Sequence, residues 1–190
     1  MTDETTGADT PSIPTETAPR PKRRWPWLLG GLLVALAAWN AVVFLPVRSA
    51  LADESDASII AYRRWLVSPS QVVLDVRSVK GTQSMAGMDR MLFKAAEALQ
   101  DRSFDSVVLA YRGDTRLLMD GPYFQEIGAT RQTQNPVYTM RTMQEHLSNP
   151  DGTPAFQQWS GGWLGVLGKQ LEDHNEFHKR WWVSGAIGDI

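Results

Sequence analysis

The chain has 190 residues, a formal net charge of −2, 43% hydrophobic residues and no cysteine. Without cysteine there is no disulfide, no thiol nucleophile, no thiolate metal site and no acylated lipoprotein cysteine. A slightly acidic chain with no basic stripe is not built for nucleic acid.

Residues 1–19 are rich in Thr, Pro, Glu, Asp, Gly and Ala, with almost nothing large and apolar. Such a segment cannot bury enough surface to offset the entropy of ordering. It reads as part of a disordered cytoplasmic tail over residues 1–24. The run from Trp25 to Val47 comes next, and its centre, Leu28 to Leu45, carries Asn40 as its one strongly polar side chain. As a helix it spans a hydrocarbon core of roughly 30 Å, and a helix satisfies its own backbone in lipid. Arg20, Lys22, Arg23 and Arg24 crowd its N-terminal edge, whereas Arg48 is followed by Asp53, Glu54 and Asp56. Basic residues are retained on the cytoplasmic side, so the tail is expected inside and the chain after about residue 48 outside. Trp25 and Trp27 suit the aromatic belt. The rival is a cleaved signal sequence: Ala50-Leu51-Ala52 has the small-x-small pattern, and Pro46 could end the apolar helix before it. Either way residues 53–190 reach the same extracytoplasmic compartment. A twin-arginine signal is a poor match, because Trp25-Pro26-Trp27 does not suit the positions after its arginine pair.

About 140 remaining residues suffice for one hydrophobic core. Residues 53–67 read as a short helix with Ile59, Ile60, Tyr62 and Leu66 on a loose apolar face, stopped by Pro69. Gln71 to Val79 is β-branched and predicts a strand. Met88, Met91, Leu92, Ala95, Ala96 and Leu99 recur at helical spacing, which leaves Asp89, Arg90, Lys94 and Glu97 for the polar face. Phe104 to Tyr111 predicts a second strand, parallel to the first because a helix connects them. Gly113-Asp114 signals a hairpin into a third strand around Leu117–Met119. Asp120 caps a short helix that ends with Gly128 in the left-handed position. Pro136 to Arg141 is expected as a fourth strand. Thr142 and Glu145 match a capping box for a turn of helix through Leu147. Asn149-Pro150-Asp151-Gly152 is a turn. Ser160-Gly161-Gly162 opens a last helix, about Trp163 to Trp181, with Leu164, Leu167, Leu171, His174, Phe177, His178 and Trp181 on one face. Gly161, Gly165 and Gly168 suggest close approach to another backbone. The expected fold class is α/β (α+β): one transmembrane helix, a small mixed sheet with a β-α-β-β core, and a long amphipathic C-terminal helix.

Few side chains carry chemistry. His174 and His178 are four apart and share a helix face, as two ligands of one ion must. With His146 they form the candidate metal set, although Glu176 is one position away from the His-Glu-x-x-His pattern. The competing account is two half-buried histidines bonded locally beside Trp181. Ser160 is explained as an N-cap, and no Gly-x-Ser-x-Gly elbow exists. Asp75, Asp105, Asp114 and Asp120 could pair as acid and base, but turns and caps already explain Asp114 and Asp120. Arg112-Gly113-Asp114 fits a hairpin better than an adhesive motif. Tyr138, Trp159 and Trp163 are the candidate ligand-binding aromatics, in a region that also holds Phe156.

Phe104–Tyr111, Asp120–Phe124, Asn135–Arg141, Pro150–Gly152 and Trp159–Leu167 resemble a group of uncharacterised bacterial envelope proteins with one N-terminal hydrophobic segment. The likeness covers 104 to about 182, and implies an envelope context and no activity, cofactor or catalytic residue. The function expected is a single-pass, membrane-anchored binding or accessory module. It would touch the lipid bilayer through residues 25–47 and an envelope protein partner through its domain. The alternative is a membrane-tethered or exported hydrolase, metal-dependent through His174 and His178.

Overall fold

The structure is a computed structural model that describes residues 25–159 and 163–188. The expected tail over residues 1–24 and the Ser160 cap lie outside the described residues. The apolar run is helix α1, Trp25–Ala50. It continues through Pro46, which leaves one helical hydrogen bond unmade. Packing holds those last turns: Val43 and Val47 have no exposed surface, and Leu51 is buried just beyond them. Farther down, Leu29, Leu32, Leu33 and Val34 are 57 to 70% exposed.

The helix expected over 53–67 is instead strand β1, Ala57–Arg63, followed by a 3-10 turn over Arg64–Leu66. The burial pattern explains the correction. Ala57, Ile59, Ala61 and Arg63 are buried, and the residues between them are more exposed. That is a period of two, which a strand satisfies and a helix does not. β1 pairs antiparallel with β2, Gln71–Val79, along its whole length.

Helix α2, Met85–Ala98, returns the chain to β3, Ser106–Tyr111, which lies parallel to β2 as expected. Arg112 and Gly113, both with positive φ, turn the hairpin into β4, Asp114–Asp120. Asp120 then caps α3, Gly121–Thr130, by accepting from the Tyr123 amide. Gly128 lies inside α3 and does not end it. A Cβ there would sit 2.3 Å from the Ala96 carbonyl oxygen, so this glycine lets α3 lie against α2.

The strand expected from Pro136 is helix α4, Pro136–Thr142. The Asn135 side chain accepts from the Val137 amide, and proline suits the first helical turn, so capping outweighs the local β-propensity. The Thr142–Glu145 capping box does not form. Thr142 donates to the Tyr138 carbonyl instead (3.1 Å), and Met143–His146 is a 3-10 turn. It leads to β5, Leu147–Ser148, which completes a mixed sheet in the order β1-β2-β3-β4-β5.

Helix α5, Trp163–His178, runs through a π-helical turn, Lys179–Val183, into α6, Ser184–Gly188. Phe177, His178, Trp181 and Trp182, at i, i+1, i+4 and i+5, all face inward. Leu171, expected on the buried stripe, is exposed, and Gln170 is buried in its place. Gly165 and Gly168 have nothing within 4 Å of a Cβ, so close approach does not explain them, and Gly161 lies outside the described residues. The core gathers Val43, Val47, Leu74, Val107, Met88, Leu92, Phe124, Phe177 and Trp181 into one cluster. Among the described residues, the opposite face of the sheet holds a small group, Val73, Val108 and Ala110, with Tyr62 and Leu118 packed against it.

Candidate functional site: the buried Asp89–His174–His178 cluster

Ser84 caps α2 by accepting from the Gly87 amide (3.0 Å), and Asp89 comes one turn later. The helical pattern left Asp89 on the polar face, but it is completely buried. It faces His174 and His178, which the i, i+4 spacing stacks on one side of α5. Asp89 Oδ2 lies 3.1 Å from His174 Nε2, and Asp89 Oδ1 lies 3.1 Å from His178 Nε2. The two rings meet edge to face, with centroids 4.7 Å apart. The contacts are close but poorly aligned: neither carboxylate oxygen, nor His178 Nε2, completes a directed hydrogen bond. Burial pushes the Asp89 carboxyl up, but the two imidazoles together outweigh it and hold it below its ordinary value. Burial also pushes the His178 imidazole down, against the pull of Asp89.

These three donors lie within 4.8 Å of one another, the convergence a metal site requires. The outer nitrogens argue otherwise. Trp182 Nε1 is 2.8 Å from His178 Nδ1. An indole nitrogen can only donate, so His178 Nδ1 must hold a lone pair and Nε2 must carry the proton. A metal-bound histidine has the reverse arrangement, and donates its remote N–H to an acceptor. His174 Nδ1 similarly faces the Gln144 side-chain nitrogen at 2.9 Å, and that amide also donates to the Met140 carbonyl. The cluster therefore acts as an electrostatic clamp, in which two imidazole Nε2 atoms face one buried carboxylate at 3.1 Å without aligned hydrogen bonds, and this ties α2 to α5. Asp89 and His178 have no exposed surface, and the His174 side chain is only 13% exposed, so the carboxylate itself is closed to a substrate.

The remaining candidates are separate. His146 stacks on Tyr123 with centroids 3.7 Å apart and does not join His174 and His178. Tyr138 is exposed on α4. Trp159 donates to Asp173 Oδ2 (2.5 Å) beside Lys169, and no ring contact or hydrogen bond links it to Tyr138 among the described residues. The side chain of Trp163 lies outside the described residues. Asp75 is held by the Gly113 amide, Arg77 and Tyr62, and Asp120 caps α3, so neither forms an acid–base pair. Asp114 is exposed and lies 3.7 Å from Arg116, and Asp105 is exposed.

Sequence reasoning missed Asp89 and Trp182. The only signal for Trp182 was its position four residues after His178, which places an indole over that imidazole. A second feature it missed is the seat of Asn40. Its side chain accepts from the Arg63 amide (2.9 Å) and donates to the carbonyls of Leu66 and Leu36 (both 2.9 Å). The Arg63 guanidinium stacks on Trp39 at 4.2 Å. The polar residue of the apolar run thus bolts the β1–β2 connection to α1. Comparison with known proteins adds no relative: no family model, curated protein or solved structure matches the chain.

Proposed function

We propose that this chain is a single-pass membrane protein of the bacterial envelope whose α/β domain, outside the cytoplasmic membrane, works by binding as an accessory or interaction module. The observation that carries this reading is the double character of α1. Its lower half exposes Leu29, Leu32, Leu33 and Val34, which suits lipid, while Val43 and Val47 belong to the domain core. Cleavage after Ala52 would strip those core residues from the domain. It would also require a site whose Leu51 amide is still bonded to the Val47 carbonyl (3.0 Å). Both facts favour retention over a cleaved signal. The basic cluster before Trp25 supports an inside N-terminus.

A binding role is supported by the clamp-like character of the histidine cluster and by a cleft of about 330 Å³ between α2, α3 and α4. Phe93, Ile127, Pro136 and Met140 line it, and its volume suits a few apolar side chains of a partner. Membrane fractionation tests the reading. The intact 21.2 kDa chain should stay in the alkaline-washed membrane pellet, with its domain open to protease added outside. A soluble mature chain beginning at Asp53 would overturn it.

The metal-dependent alternative has one observation in its favour, the convergence of Asp89, His174 and His178, and it is opposed by the Trp182 donor. Metal analysis of the purified full chain separates the two. Stoichiometric metal, with stability lost on chelation, would establish the alternative.

A further inference from the structure

The depth at which the domain joins α1 conflicts with the length of the span, and the conflict has one economical resolution. Leu28 to Leu45 is apolar over about 27 Å of helix, close to the thickness of a hydrocarbon core. Yet the domain already touches α1 at Asn40, about 7 Å below the upper end of that stretch. What touches it there is the connection between β1 and β2. Its tip is Trp65-Leu66-Val67, exposed by 79%, 50% and 58%. Trp65 and Leu66 both have left-handed backbone angles, φ 57° and 63°. Two bulky residues in succession seldom adopt that region, and the strain costs about 1–2 kcal/mol each. Asn40 holds the strained turn by its bond to the Leu66 carbonyl. The result is three apolar side chains presented outward beside the apolar helix, where a soluble domain would have polar ones.

We propose that the β1–β2 connection, Trp65-Leu66-Val67, is a membrane-inserting wedge that enters the interfacial layer of the bilayer crossed by α1. This rests on the anchored reading above. A tip seated in lipid removes the mismatch, because the domain need not stand clear of the stretch it grips. Tryptophan with aliphatic neighbours is the composition that settles at the headgroup–acyl boundary. The charges agree. Arg64, beside Trp65 at 5.7 Å, and Arg48, about two turns above Asn40 on α1, have no carboxylate partner among the described residues. They are suited to lipid phosphates. The wedge fixes the height and tilt of the domain, and so sets which face it offers to a partner.

Because the chain has no cysteine, single labelling sites can be introduced cleanly. The full chain carrying Leu66→Cys, Leu33→Cys or Val137→Cys is labelled with an environment-sensitive fluorophore. Each is reconstituted into phosphatidylcholine–phosphatidylglycerol vesicles, with and without spin-labelled lipid. Circular dichroism checks that each variant is folded. The probe at 66 should shift to the blue and lose emission to the lipid quencher, as the probe at 33 does. The probe at 137, on α4, should behave as in water. If 33 is quenched and 66 is not, the wedge is overturned and the anchor stands. If neither is quenched, the anchored reading itself fails. A probe at 66 that is shielded from water yet insensitive to the lipid quencher would mean that a second copy covers the tip, which also overturns the wedge.

Discussion

At the scale of single residues, Trp182 decides the state of the buried cluster. Its N–H obliges His178 Nδ1 to accept, so protonating that imidazole would set two donors face to face. Burial and this contact both favour the neutral ring. A base whose pKa is lowered on folding contributes stability that is complete above its ordinary value, here 6.5, and declines as pH falls below it. Chemical denaturation from about pH 8 to pH 5 should therefore show the chain weakening below about pH 6.5. Trp182→Phe should lose about 1 kcal/mol near pH 8, where the bond to Nδ1 is intact, and show a shallower acid slope because Nδ1 is free to take a proton. An unchanged slope would remove the tryptophan from the account. Asp89→Ala leaves two imidazoles facing a void, and should cost about 1–3 kcal/mol near neutral pH. Asp89 was misplaced on the solvent side because helical periodicity tracks apolar residues. A carboxylate wanted inside by two histidines some 85 residues away in sequence looks like any other polar position.

At the scale of elements, two glycines exchange the roles expected of them: Gly128, expected to end α3, marks the close approach, and Gly168, expected to mark one, does not. Gly128 lets the backbones of α2 and α3 approach, and Gly168 in α5 faces open space. Gly128→Ala should destabilise by about 1–3 kcal/mol, since a Cβ 2.3 Å from the Ala96 carbonyl oxygen must push backbone aside. Gly168→Ala should stabilise by up to about 1 kcal/mol through helix propensity. Thermal unfolding of the pair checks both signs. The junction of α1 with α2 is a further element-scale device. Arg90 and Lys94 on α2 hold the Glu54 carboxyl down at about 2. A carboxyl lowered in the folded state stabilises above its ordinary 4.5, and loses that contribution as pH falls towards 2. Relative to the parent chain, Glu54→Gln should be less stable near neutrality. The difference should vanish in acid titrations as pH drops through that window, and a difference constant across it would refute the tether.

At the scale of the whole molecule, the N-terminal apolar helix and the domain share one core. Val47→Ala should cost about 1–3 kcal/mol in domain stability, although Val47 lies in what sequence alone counts as the transmembrane segment. A chain beginning at Asp53 should unfold at a lower temperature than the intact protein in detergent. Equal melting temperatures would mean that the helix is only a tether. Several features were legible in the sequence: the apolar helix, the parallel β-α-β unit, the Arg112-Gly113 hairpin, the Asp120 cap and the turn at Asn149–Gly152. Each obeys local rules, namely an apolar run, a period, or a residue whose backbone preference suits a turn. Others were not. β1 passed for a helix because its seven residues fit either period loosely, and only pairing with β2 under α1 selects the strand. The fourth strand was a capped helix. The meeting of Asp89, His174 and His178, the proton position set by Trp182, and the grip of Asn40 on the β1–β2 connection were decided by tertiary structure alone. These depend on distances between segments far apart in the chain, which closing the fold creates and which no local pattern encodes.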